Sequence, residues 1–294
     1  MLIDAHVHLF SRRFYQFWAD EARVPIEQTA ETLKAEIPDD DSVPLGERWI
    51  AELDKYKVDR CVLISSVTGD GGALGKTVQK HPSRLSGLFY LNPTLQDAMQ
   101  RVRRGVEEAG LRGACFFPAM HHYQPDDERL HPIFATLDRA GVVAFVHLGM
   151  FKMPIQEKLG LPPSADLKYS NPIALHSVCN AFQNLKFIIP HFGSGFFQET
   201  LMLGTLCKNV YIDTSSSNSW IKLFPGLTLE SVFERALDIF GPDRVIFGTD
   251  SSSFPRGWRE DNYKRQKQAL EKIGAPKSDQ EKIFGGNIAK LLKI

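Results

Sequence analysis

Pro132-Ile133-Phe134-Ala135-Thr136-Leu137-Asp138-Arg139-Ala140-Gly141-Val142-Val143-Ala144-Phe145-Val146-His147-Leu148 carries two periodicities back to back. Ile133, Leu137 and Ala140 recur at helical spacing behind Pro132, a good first-turn residue. Gly141 then ends the helix, because glycine enters the left-handed cap conformation without steric cost. From Val142 the pattern becomes an unbroken apolar run. Strands buried on both faces read this way, and parallel strands covered by helices are the usual case. The stretch is one helix–strand unit.

The unit recurs along the chain. Apolar or β-rich runs cover residues 2–8, 60–67, 85–91, 113–117, 142–148, 187–191, 210–214 and 245–249. Helix-period segments lie between them. Leu229, Val232, Phe233, Ala236, Leu237 and Phe240 form one apolar helix face, and Leu175, Val178, Cys179 and Phe182 form a shorter one. Eight strand–helix alternations predict an α/β fold, a (β/α)8 TIM barrel, rather than a doubly wound open sheet, whose GxGxxG signature is absent after the first strand. No Pro/Gly linker, repeat or low-complexity tract divides the chain, so residues 1–294 are expected to form one domain. Two connections exceed what a barrel needs, Phe10 to Val43 and Gly149 to Asn171. Both would lie at the C-terminal rim, where long loops are commonly functional.

Composition excludes several function classes. The 294 residues hold 35 Lys plus Arg against 35 Asp plus Glu, so there is no electrostatic footprint for nucleic acid or an anionic membrane. No apolar run is long enough to span a bilayer. The first strand begins at Leu2, which leaves no room for a leader segment. Cys61, Cys115, Cys179 and Cys207 are widely spaced and read as reduced core thiols. A cytoplasmic protein acting on a small molecule is expected, and a homo-oligomer is compatible with the sequence.

The chemistry gathers at the strand ends. His6 and His8, in Asp4-Ala5-His6-Val7-His8, would project from one face of the first strand and could grip one metal ion. His147 ends the fifth apolar run, His191 the sixth and Asp250 the eighth. Each residue alone has an ordinary explanation: a lone strand-end histidine is commonly a rim residue, and Asp250 could simply cap a helix. Four histidines and one aspartate at the same end of four strands point to a shared site.

The segments DAHVH, FVHLG, IIPHFGSG, RVIFGTDSS and FGGNIAKLL resemble, in that order, the amidohydrolase superfamily and within it the amidohydrolase-2 group, which includes aminocarboxymuconate-semialdehyde decarboxylase and its relatives. That resemblance implies a metal held by His6, His8, His147 and Asp250. It places His191 beside the metal-bound water or the substrate, as general base, orienting donor or further ligand. Three imidazoles and a carboxylate suit Zn2+, with Mn2+ or Fe2+ as alternatives. Binuclear members carry a lysine in the fourth strand, where this chain has Cys115. A thiol forms no carbamate, so one metal ion is expected, with Cys115 read as a buried inert thiol and, as the lesser alternative, a thiolate ligand.

On the substrate side, Ser194 lies in His191-Phe192-Gly193-Ser194-Gly195 ahead of a helix whose free N–H groups could hold a carboxylate. Arg256 and Trp258 follow the eighth strand, and Arg256 could pair with a substrate carboxylate. The Ser215–Asn218 segment and His121, His122 and Tyr123 are further rim candidates. Phe10, Phe14, Trp18 and Trp220 suggest an apolar or ring-bearing pocket. The reading adopted is a metal-dependent hydrolase, with Asp250 and His191 as catalytic groups, opening an amide, ester or lactone of a small organic acid. The alternative is a decarboxylase or hydratase on the same mononuclear site. A third reading, a barrel kept only as a binding scaffold, fits poorly with a complete five-residue set.

Overall fold

The computed structural model describes residues 1–294. Its strands are β1 (Ile3–Leu9), β2 (Arg60–Ser65), β3 (Leu85–Leu91), β4 (Gly113–Phe116), β5 (Val143–Val146), β6 (Lys186–Ile189), β7 (Val210–Asp213) and β8 (Val245–Ile246). They pair in chain order, every pair parallel. The circle closes where Ala5 N donates to Phe247 O at 3.1 Å and Asp250 N to His6 O at 2.9 Å. This is the (β/α)8 barrel that the alternation predicts, and all eight strands fall on the expected runs.

The interior is filled rather than hollow. Ile3, Ala5, Val62, Ile64, Leu88, Cys115, Val143, Phe145, Ile188 and Ile246 pack inside it, and the C-terminal helix Asn287–Leu292 adds Ile288 and Leu292. Asn287 anchors that helix by donating to Pro242 O and Val245 O, both at 2.7 Å. A second, larger core lies between the sheet and the outer helices, which include His131–Ala140 and Leu229–Phe240. Gly141 is the left-handed cap of the first of these, at φ 64°.

Both long connections fold at the C-terminal mouth. Residues 10–43 form the helices Arg12–Ala22 and Ile26–Leu33, with a core of Phe14, Tyr15, Trp18, Ala19 and Ile26. From the connection after β5, Met153, Ile155, Leu159 and Leu161 pack onto the same core. The two insertions thus form one cap. It is joined to the barrel through Phe10, which stacks on Phe14 at 3.8 Å and lies 5.5 Å from His8.

β1 departs from strict alternation. Its register against β2 shifts between Asp4 and Val7. Ile3 and Ala5 face the interior, and Asp4 turns to the outer side. There it accepts from His6 N (3.0 Å), Thr249 N (3.0 Å), the Thr249 hydroxyl and Trp258 Nε1 (2.7 Å). Burial pushes its carboxyl up to about 6 against the pull of those donors. Asp4 therefore pins β1 to the segment after β8, setting His6 beside Asp250. Asp4→Asn would turn an amide N–H toward the backbone N–H groups of His6 and Thr249 or the indole N–H of Trp258, all of which can only donate. Such a buried mismatch costs about 2–3 kcal/mol, and denaturant unfolding of the variant is expected to show a loss of that size.

Candidate metal centre

The four histidines gather at the mouth. His6 lies with its ring centroid 5.0 Å from His8, 5.4 Å from His147 and 5.1 Å from His191. His147 and His191 are 5.5 Å apart. Asp250 Oδ1 is 3.3 Å from His8 Nε2 and 3.7 Å from His6 Nε2. All five residues expected from the sequence therefore meet at one point.

Hydrogen-bond partners fix which nitrogens face that point. His6 Nδ1 lies 3.0 Å from Asp213 Oδ2, and an ionised carboxylate only accepts, so Nδ1 carries the hydrogen. Ser66 gives its own hydrogen to Ile64 O at 3.2 Å and therefore accepts from His8 Nδ1 at 2.9 Å. In neutral rings, both Nε2 atoms then present bare lone pairs, and these face each other at 3.2 Å. Two lone pairs at that separation, beside a carboxylate, repel unless a positive charge, a proton on His6 or a metal ion, lies among them. One ligand atom each from His6, His8 and His147 lies within 4.8 Å of the others. The donor set fits a divalent metal ion.

Three of the four rings are held neutral. Burial lowers the proton affinity of His8, His147 and His191, which keeps their rings neutral and able to ligate or accept. On His6, burial opposes charge, but Asp213, Asp250 and Asp4 together hold its proton affinity above the ordinary value. Burial works against ionised Asp250 too, yet the neighbouring His8, His6 and His191 rings hold its carboxyl below the usual range. His191 Nδ1 reaches Ser215 O at 3.3 Å and Ser215 Oγ at 2.8 Å. Because the carbonyl can only accept, Nδ1 bears the hydrogen and Nε2 is left as an acceptor.

Backbone strain marks the same residues. His191, Phe192, Gly193, Ser194 and Gly195 have φ of 59°, 53°, 80°, 40° and 90°, and Asp250 has 62°. Non-glycine residues occupy this region at a cost of about 1–2 kcal/mol each, and such strain clusters at functional sites. Here it turns the chain sharply off β6, so that His191 lies back over the barrel.

Asp213 is the residue that sequence reasoning overlooks. It is fully buried at the end of β7 and accepts from His6 Nδ1, Ser215 N (2.6 Å) and His191 N (3.4 Å). The signal was present, because an aspartate closing an apolar run also singled out Asp250. By fixing the His6 ring, Asp213 sets where Nε2 points. Outer carboxylates of this kind are worth about 10- to 100-fold in metal affinity. Asp213→Asn is expected to weaken metal binding by that factor, read by competition with a chromogenic chelator.

The substrate-side candidates are placed unevenly. Arg256 is exposed, with Nη2 2.6 Å from Ser252 Oγ, and its charge is felt at His8 and Asp250. Trp258 is corrected: it is 3% exposed, and its indole N–H is spent on Asp4, so it belongs to the core. Ser194 is corrected as well. Its hydroxyl donates to Met150 O at 2.8 Å while Met150 N donates to Ser194 O at 2.6 Å, which locks the loops after β5 and β6 together. Of the four aromatics, Phe10 borders His8, Phe14 and Trp18 fill the cap, and Trp220 is buried behind the rim. Phe117, stacked on His147 at 4.2 Å, and Phe151 are the aromatic neighbours that were missed. Cys115 lies 3.4 Å from His147 Nδ1, and burial raises its thiol far above the ordinary value. It supports the histidine as a neutral thiol.

The model of the family Amidohydro_2 (Amidohydrolase) matches residues 3–294. The chain belongs to this amidohydrolase family. A curated family relative, 2-amino-3-carboxymuconate-6-semialdehyde decarboxylase of Dictyostelium discoideum, is 25% identical over 75% of this chain. That match spans 64% of the relative, less than two thirds of its length. Among solved structures, 5-carboxyvanillate decarboxylase from Sphingomonas paucimobilis superposes with a TM-score of 0.71 at 16% identity, over 100% of this chain and 99% of that one. The 5-carboxyvanillate decarboxylase from Novosphingobium aromaticivorans, solved with manganese and 3-methoxy-4-hydroxy-5-nitrobenzoic acid, gives 0.70 at 16%, over 100% and 97%. At such identities these likenesses carry the amidohydrolase fold. The hydrolase expectation is overturned here, since these relatives break a carbon–carboxyl bond. The two chemistries share the same metal-binding residue types, which is why motif reading leaned the wrong way. No helix is long and apolar enough to cross a membrane.

Proposed function

We propose that this protein is a metal-dependent, non-oxidative decarboxylase of a small, flat, oxygenated acid, aromatic or conjugated. The observation that carries the metal dependence is the pair of bare Nε2 atoms of His6 and His8 facing each other at 3.2 Å beside Asp250. The names of the curated relative and of the solved structures support the reaction class. His6, His8, His147 and Asp250 would hold one divalent ion. Mn2+ comes first on the strength of the manganese-bound structure, and Zn2+ second on the donor set. When bound, that ion polarises the substrate oxygens.

The remaining steps belong to the chain. His191, its Nδ1 hydrogen held by Ser215, offers Nε2 to orient a substrate hydroxyl. Phe10, Phe117 and Phe151 border the ring or conjugated plane of the acid. Arg256 stands ready to pair with a substrate carboxylate. The carbon–carboxyl bond breaks, its electron pair stays on carbon, and one proton replaces the departing CO2. Asp250 is the proposed carrier of that proton. Its carboxylate stands beside the site, where it can take a proton from water and pass it to the carbon that loses CO2. Four free, buried thiols support a reducing, cytoplasmic setting.

The test is CO2 release from manganese-loaded protein on a panel of hydroxybenzoates and carboxymuconate-type acids in deuterated water. One CO2 and one carbon-bound deuteron per turnover are expected from at least one acid. Stoichiometric metal with no CO2 from any of them would overturn the reading.

A further inference from the structure

On the β3–β4 side of the mouth stands a polar group that the metal centre does not use. The Tyr90 hydroxyl and His121 Nε2 are 2.6 Å apart. Phe117 separates this pair from the centre, with its ring 4.2 Å from His147 on one side and 5.3 Å from Tyr90 on the other. His121 Nδ1 is buried without a partner. So is the hydroxyl of Tyr123, whose ring lies nearly parallel to His121 at 6.4 Å. Tyr90 is half-buried at the end of β3, on the inward-facing register of Leu88. Unpaired buried polar atoms are uncommon and call for an explanation.

Counting hydrogens sets the direction of the Tyr90–His121 bond. Burial lowers His121 to about 4, so the ring is neutral at pH 7 and carries a single N–H. If Tyr90 donated to Nε2, that N–H would sit on Nδ1, buried with no acceptor. If Nε2–H donates to the phenol oxygen instead, only a lone pair is left unpaired. Orphaned donors are the rarer of the two in folded proteins. The favoured arrangement therefore leaves the Tyr90 O–H free to donate elsewhere. Burial also holds the phenol above its ordinary value, so the hydrogen stays on it.

We propose that Tyr90, positioned by His121, donates its hydroxyl hydrogen to an acceptor oxygen at the end of the bound acid remote from the metal centre. The pair thereby selects flat acids that carry a second oxygen group at the end remote from the centre. The selection rests on the metal-dependent decarboxylase reading and adds a specificity determinant to it. Phe117 and Phe151, 5.5 Å apart, supply the apolar wall between the two polar ends.

The test titrates manganese-loaded protein calorimetrically with two inert probes, 4-hydroxy-3-nitrobenzoate and 2-nitrophenol. They share the phenol and nitro groups, and only the first has a remote carboxylate. Wild type is expected to bind the first about tenfold more tightly, the scale of one charge-assisted hydrogen bond. Tyr90→Phe should lose about that factor for the first probe and less than twofold for the second, with unchanged manganese content. His121→Leu, which keeps the phenol but removes its support, should lose a smaller part of the same preference. Equal losses for both probes, no loss for either, or no binding of either probe to manganese-loaded wild type would overturn the proposal and leave the metal centre standing. A wild type that takes up no manganese would overturn both.

Discussion

Asp250→Asn is expected to lower kcat by about 1,000-fold, within the range of a lost proton-transfer group, while His6, His8 and His147 still retain metal at reduced affinity. The carboxylate closes the donor set, with Oδ1 3.3 Å from His8 Nε2. It is also the proposed proton carrier. An amide is nearly isosteric but neither binds a cation strongly nor carries a proton. The separation between the two losses is the informative part. Steady-state CO2 release and metal content, measured on the same preparation, should show turnover nearly gone with much of the metal still present. A variant that keeps activity, or one that loses metal and activity in equal proportion, would remove Asp250 from proton transfer.

His6→Ala is expected to act in the opposite order, through the metal first. His6 presents Nε2 to the centre and its Nδ1 hydrogen to Asp213. Removing it deletes a ligand and takes one hydrogen bond from a fully buried carboxylate. Metal affinity should fall by more than about 100-fold, beyond the loss from an outer partner such as Asp213. Leaving Asp213 with only its backbone donors Ser215 N and His191 N should cost about 2 kcal/mol of stability. Chelator competition and denaturant unfolding measure the two effects independently. Full metal content together with wild-type stability would show that β1 does not supply the centre.

The sequence displays the strand–helix alternation because each barrel strand is covered on both faces, and the resulting apolar runs stand out unaided. His6, His8, His147, His191 and Asp250 were readable for the same reason, since a polar residue closing an apolar run is conspicuous. Asp213 shares that pattern but passes for a strand residue, because its role exists only once the barrel closes through β8 and brings the end of β7 to His6. Trp258 went wrong through proximity: nine residues from the end of the eighth apolar run imply the rim only if the chain stays there. It turns inward to meet Asp4 instead. Asp4 itself would share a face with His6 and His8 under strict alternation, and only the register shift in β1 reveals that it does not. Ser194 looked available because a hydroxyl near a turn is usually free, whereas its partner Met150 lies 44 residues away along the chain. Reaction class was the least readable property, because hydrolysis and decarboxylation call for the same ligand types.

The most direct test of the account is a crystal structure of the manganese-soaked protein with anomalous data collected at the manganese edge. One anomalous peak per chain is predicted, bonded to Nε2 of His6, Nε2 of His8, a ring nitrogen of His147 and the Asp250 carboxylate. A second peak bridged to the first, a peak bonded to Cys115 or Asp213 instead, or no peak at saturating manganese would contradict it.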